Sequence, residues 1–158
     1  MRRRCIVTLI ALVALAVPAL ADFAAGERAY QKGDYQTAAK EWQAEADKGN
    51  AAAQFNLGML YFDGKGVPQD YNEAAVYLRR AADQGYAKAQ HNLGAILGSG
   101  QGIKRDYEQA YVWMSLCAAS GEPGCESQRD ALAEKLNKSK LARAQRRARE
   151  WRPITQNP

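Results

Sequence analysis

YFDGKGVPQDY (Tyr61–Tyr71) and LGSGQGIKRDY (Leu97–Tyr107) are one pattern written twice, 36 residues apart. Gly64 falls on Gly100, Gly66 on Gly102, Val67 on Ile103, Asp70 on Asp106 and Tyr71 on Tyr107. Glycines so close together invite a phosphate loop, and the aspartates invite a cation loop. A phosphate loop follows a strand and ends in Gly-Lys-Ser/Thr, or carries the spaced glycines of a dinucleotide fold. Here Lys65 is followed by Gly66, and the residues before the loop have helical spacing. A calcium loop needs oxygen ligands at alternate positions and a late glutamate. Only Asp63 and Asp70 offer carboxylates, and Ser99 replaces Asp63 in the second copy. The stretch therefore reads as a helix connection. The glycines reverse the chain, Val67 or Ile103 plugs the loop onto the core, and the aspartate caps the next helix.

The same period runs outward. Asp34, Asp70 and Asp106 line up, as do Tyr35, Tyr71 and Tyr107. Ala38, Ala74 and Ala110 follow, then Ala46, Ala82 and Ala118, then Gly49, Gly85 and Gly121. A fixed period of this size marks a solenoid. Within a unit, Ala53, Leu57, Leu60 and Tyr61 share one helical face, and Tyr71, Ala74, Ala75, Leu78 and Ala82 make the next apolar stripe. Gly64 and Gly85 are stop signals. No stretch has a convincing strand period, so the expected fold class is all-α.

The segment NLGMLYFDGKGVPQDYNEAAVYLRRAADQGYAKAQHNLG (Asn56–Gly94) resembles the Sel1-like repeat, a relative of the tetratricopeptide repeat. The likeness runs from Phe23 to about Leu136. It implies an α/α solenoid of stacked antiparallel helix pairs in a right-handed superhelix. It also implies a scaffold or adaptor that binds a partner protein. Residues 22–137 would form about three units plus a cap, and 138–158 a basic capping helix and tail. The edges depart from the pattern. Tyr30 and Gly33 set against Tyr61 and Gly64 leave five loop residues missing from the first unit. The last unit keeps Gly121 but has Arg129 and Asp130 in place of Leu-Gly. Polar residues suit a terminal unit, which must face water. Leu141, Ala144, Ala148 and Trp151 share a face that can seal the array.

The N-terminus carries its own signal. Arg2, Arg3 and Arg4 precede an apolar run from Cys5 to Val17, then Pro18 and Ala19-Leu20-Ala21. This reads as a signal peptide cut after Ala21, and the expected product is periplasmic or secreted. The run is too short for a comfortable span of about 20 residues. The whole chain carries +5, which falls to +2 without the three arginines. The remaining excess sits in the tail and the body is mildly acidic, so a nucleic-acid partner is not expected. Cys117 and Cys125 remain. An even pair in an exported chain points to a disulfide, the alternative being two free buried thiols. Their spacing also resembles the helix-linking bridges of cysteine-rich members of the resembled family.

Catalytic signals are thin. His91 is the single histidine, so a His-rich metal site is excluded, and no H-E-x-x-H, Cys-x-x-Cys or Ser–His–acid set is visible. No catalytic residue, metal or cofactor is expected. Candidate binding residues come from the second apolar face of the helix starting at Ala51. Phe55, Met59 and Phe62 lie opposite its packing face, at positions that line the concave side in tetratricopeptide relatives. The expectation is a groove with these three as apolar anchors and His91 as a polar neighbour, the alternative being plain burial between solenoid neighbours. Lys140, Arg143, Arg146, Arg147 and Arg149 form a second candidate, for an anionic lipid or acidic protein, against the alternative of a solvated helix face. The functional expectation is a monomeric exported scaffold. The alternatives are a cell-envelope enzyme of the β-lactam or peptidoglycan type, because cysteine-rich relatives have been linked to penicillin binding, or a structural component or chaperone of an envelope assembly.

Overall fold

The structure, a computed structural model, describes residues 22–154; the expected signal peptide lies outside the described residues. Eight helices follow one another: α1 (Phe23–Gln31), α2 (Tyr35–Asp47), α3 (Ala51–Asp63), α4 (Tyr71–Asp83), α5 (Ala87–Ser99), α6 (Tyr107–Ala119), α7 (Cys125–Ala133) and α8 (Lys138–Glu150). Successive helices pack on one another from α1 through α7, and α8 lies on α6. There is no strand among the described residues. The chain is the all-α solenoid that its period implies.

The repeated aspartates start the second helix of each unit. Asp34 accepts from Thr37 N (3.1 Å), Asp70 from Asn72 N (2.8 Å) and Glu73 N (3.1 Å), and Asp106 from Gln109 N (2.9 Å). The Asp106 cap, which is partly buried, is worth about 1 kcal/mol. The first helices of the two full units stop at Gly64 and Gly100, in left-handed backbone (φ 67° and 73°). The second loop glycine answers to a neighbour. A Cβ at Gly66 would overlap the Tyr35 carbonyl, and one at Gly102 the Tyr71 ring. Each loop therefore rests on the first residue of the preceding unit's second helix, and the contact recurs one period later. Val67 and Ile103 pack from these loops against the core.

Small residues bring the helices together. Ala38, Ala74 and Ala110 are fully buried. Gly58 backs onto Leu78, Gly94 onto Met114 and, in the first unit, Gly26 onto Trp42. Trp42, Leu78 and Met114 are again 36 residues apart, so Gly26 is the packing counterpart of Gly58. This corrects the expected loop count. The link 32–34 is four residues shorter than 64–70, not five. Alpha-1 closes through Lys32 in right-handed backbone with Gly33 one residue further out, so Gly33 is displaced relative to the Gly64 cap. Leu57, Leu78 and Leu93 are at most 1% exposed, each stabilising by about 1.5–3 kcal/mol. Two buried amides join successive units: Gln54 donates to Ala46 O (3.1 Å) and Gln90 to Ala82 O (3.2 Å).

The end of the array is built differently. Cys125 is the one buried residue of α7. On α8, Ala144 is fully buried, and Leu141 and Ala148 pack with Tyr111 and Val112. Trp151 stands edge-on to Trp113, with centroids 6.5 Å apart. The chain then turns back, and Ile154 N donates to Asp83 O at 2.8 Å.

Candidate functional site

Alpha-3 has two apolar sides, and the fold treats them differently. Ala53, Leu57 and Leu60 are buried, whereas Phe55, Met59 and Phe62 are half-buried. The Phe55 ring lies against Tyr86 (centroids 5.4 Å apart) and Phe62 meets Tyr71 edge-on (5.3 Å). Asn92 Nδ2 approaches Met59 Sδ at 3.3 Å. One flank of each side chain is thus fixed by a neighbour. The other borders open space. A hollow of about 350 Å³ between α1, α2 and α3 is lined by Tyr30, Trp42, Phe55 and Met59 together with the carboxylates of Glu27 and Asp63. A second, of about 280 Å³ between α3 and α5, is lined by Met59, Phe62, Ala95 and Ile96. Met59 borders both. Asp63 accepts from Lys65 at 3.0 Å, and this bond raises the Lys65 pKa above its ordinary value.

His91 is placed elsewhere. It stands one period after Phe55, but its Nε2 lies 2.9 Å from the Gln128 side chain on α7. It does not line either hollow around Met59. Instead it sits beside a disulfide between Cys117 of α6 and Cys125 of α7, whose Cα atoms are 5.8 Å apart. The bridge settles the choice between a disulfide and two free thiols.

The basic residues of α8 are divided. Arg143 donates twice to Glu108 of α6, at 2.6 and 2.5 Å, and Arg147 approaches the same carboxylate at 3.7 Å. The Arg143 hydrogen bonds hold the Glu108 carboxyl below its ordinary range. Lys140, Arg146 and Arg149 are exposed. Two of the five candidate cations therefore pin the helix to the repeat body.

Sequence reasoning did not place Glu27, Tyr30, Trp42, Asp63 or Asn92 at the groove. The series Trp42, Leu78, Met114 carried a signal for Trp42, because an indole in a slot that otherwise holds Leu or Met must extend past it. Glu27 and Tyr30 lie in the unit whose loop is shortened, where the period misleads.

No helix of the described residues is long and apolar enough to cross a membrane. A search of curated proteins finds no match. The Sel1 repeat family matches residues 51–86 and 87–122, the two full units. Among solved structures, the protective antigen c5321 of uropathogenic Escherichia coli, which displays an SLR fold, is 32% identical with a TM-score of 0.74 over 80% of this chain and 28% of its own. A Sel1 repeat protein from Oxalobacter formigenes is 29% identical, with a TM-score of 0.68 over 83% of this chain and 56% of its own. The chain thus spans under two thirds of either protein. Sel1 repeats are typically a protein-interaction scaffold, and generally a non-enzymatic one. With two matched units, capped second helices and a repeated loop-on-helix contact, the chain carries two Sel1 repeats, at residues 51–86 and 87–122.

Proposed function

We propose that this protein is an exported adaptor whose first helices, α1, α3 and α5, hold a partner segment carrying apolar side chains beside a positive charge. The observation that carries this reading is the pair of hollows meeting at Met59. They are open, and their volumes lie just above and just below the lower end of the ~300–1,000 Å³ typical of ligand sites. Such hollows suit successive side chains of a peptide or helix better than an enclosed small molecule. Phe55 and Phe62 are already braced by Tyr86 and Tyr71, so little side-chain freedom is lost on binding. Aromatic anchors of this kind carry most interface energy, and methionine adapts to varied partner shapes. Glu27 supplies the negative charge, since Asp63 is already paired with Lys65. His91, facing the disulfide, stands outside this pair of hollows, so the anchors in this reading are Phe55, Met59 and Phe62.

Affinity capture from an exported fraction tests the proposal, with the chain from Asp22 onward as bait. The control bait is a Phe55→Ala/Phe62→Ala variant shown to be folded by its thermal transition. A partner retained by the first, lost by the second and weakened by salt supports the reading. A partner held equally by both baits overturns the groove.

A further inference from the structure

His91, Cys117 and Cys125 come from three helices, α5, α6 and α7, and converge where the array ends. A ring nitrogen of His91 and the two sulfurs lie within 4.8 Å of one another. Both cysteines are fully buried and the imidazole is half-buried. The cysteine cluster is otherwise apolar, with Met114 inside it and Ala95, Ala118 and Leu132 around it. Gln128 holds the imidazole at 2.9 Å through Nε2. With its amide turned to present the oxygen, Gln128 accepts from Nε2–H, which orients the ring and leaves Nδ1 free to ligate.

We propose that the Cys117–Cys125 disulfide closes a redox-gated cation site, in which the reduced protein binds one zinc-class ion through Cys117, Cys125 and His91. Three physical points favour that class. Two thiolates and a neutral imidazole cancel the two charges of the ion, so the assembled site is neutral and can stay buried without a large desolvation cost. Sulfur and imidazole nitrogen are zinc ligands, whereas magnesium and calcium need oxygens that this cluster lacks. Zinc–ligand lengths of about 2.0–2.3 Å place tetrahedral donors on the order of 3.5–3.8 Å apart, within the spread of the three donors here. The sulfurs have only to part from bonding distance, which side-chain rotation at Cα atoms 5.8 Å apart can provide. Three protein ligands leave the fourth tetrahedral position for water.

The chemistry balances. A dithiol reductant attacks one sulfur and then closes into its own disulfide. Two electrons and two protons pass to Cys117 and Cys125, which become thiols. Zinc then displaces both thiol protons to solvent and forms two Zn–S bonds and one Zn–N bond. Reoxidation by a disulfide oxidant, which takes up the two electrons and two protons and leaves as a dithiol, expels the ion, because the S–S bond consumes both thiolates. Access favours α7 as the moving part, since it buries only Cys125.

The test is a calorimetric zinc titration of the chain from Asp22 onward, stripped of metal and reduced with a phosphine, against the same protein left oxidised. One equivalent binding the reduced form alone, with two protons released, is the expected result. His91→Ala retains the bridge and so folds before reduction; its reduced form is expected to bind at least about tenfold more weakly. Equal binding by oxidised and reduced protein overturns the proposal, as does a His91→Ala affinity equal to wild type. A reduced chain that loses its helical circular dichroism and does not regain it with zinc overturns it as well.

Discussion

Two junctions of this array can be compared position by position. Between the second and third units, Phe55 packs on Tyr86, and the Gln54 amide receives a hydrogen bond from Gln84 (2.7 Å) while donating to Ala46 O. Between the third unit and the cap, the matching positions hold His91 against Gln128, and Gln90 whose Oε1 has no partner among the described residues. Ser120 stands where Gln84 stood and is too short to reach it. In place of the lost packing there is a disulfide, at Cys117 where the earlier unit has buried Ala81. Where apolar contact between repeats runs out, a covalent link takes over. Alpha-7 buries only Cys125, so it cannot hold on by burial alone.

Breaking the covalent side of this comparison should have the largest effect. Closing so short a loop stabilises by about 2–3 kcal/mol in the entropy model. The Cys117→Ser/Cys125→Ser variant should lose that amount in denaturant unfolding in the absence of zinc, and α7 should exchange its amide hydrogens first while α3–α6 stay protected. Equal loss of protection across all helices would mean the bridge supports the whole array and not its end.

The amide pair gives a smaller, more pointed test. Gln54→Ala removes a satisfied buried group and should cost about 1–3 kcal/mol. Gln90→Ala should cost less, because one of its atoms is already unpaired. Ser120→Gln restores the missing donor and should stabilise by about 1 kcal/mol. A destabilising Ser120→Gln would show that the two junctions differ in backbone path and not only in side chains.

The smallest effect is expected from the pair that pins α8. Glu108 titrates below its ordinary value of 4.5 in the folded protein, chiefly because Arg143 donates to it. Its contribution is therefore complete above pH 4.5 and disappears as the pH falls through the lowered folded pKa. Melting temperatures of wild type and Glu108→Gln should converge at acid pH and separate above it. The gap should narrow with salt, since the guanidinium is well exposed.

The repeat was legible in the chain because equivalence is written in spacing. Asp70 and Asp106 announced caps, Gly66 and Gly102 announced a loop, and Leu57 and Leu93 announced the core. The second apolar face of α3 was legible too, since Phe55, Met59 and Phe62 break the one-sided pattern of an ordinary surface helix. What the period could not tell is which group a substituted position meets. His91 inherits the register of Phe55, but its neighbours come from α7, which has left the repeat. Glu108 and Arg143 lie on helices with no common period, and nothing local marks them as partners. The first loop was miscounted by one residue because its stop glycine and its packing glycine shifted by different amounts.

The hydrogen bond from Ile154 to Asp83 bears on the order in which this protein can be completed. Nearly every other contact joins neighbours in the chain, so units can assemble as soon as they emerge from the ribosome or a translocation channel. The C-terminal segment is the exception, because α8 lies on α6 and the last described residues are tied further back, to α4. Folding intermediates should therefore build up with α1–α6 formed and α8 still detached, and α8 docking should be the last kinetic phase. An array that grows one unit at a time thus acquires a contact that forms only once α8 is in place.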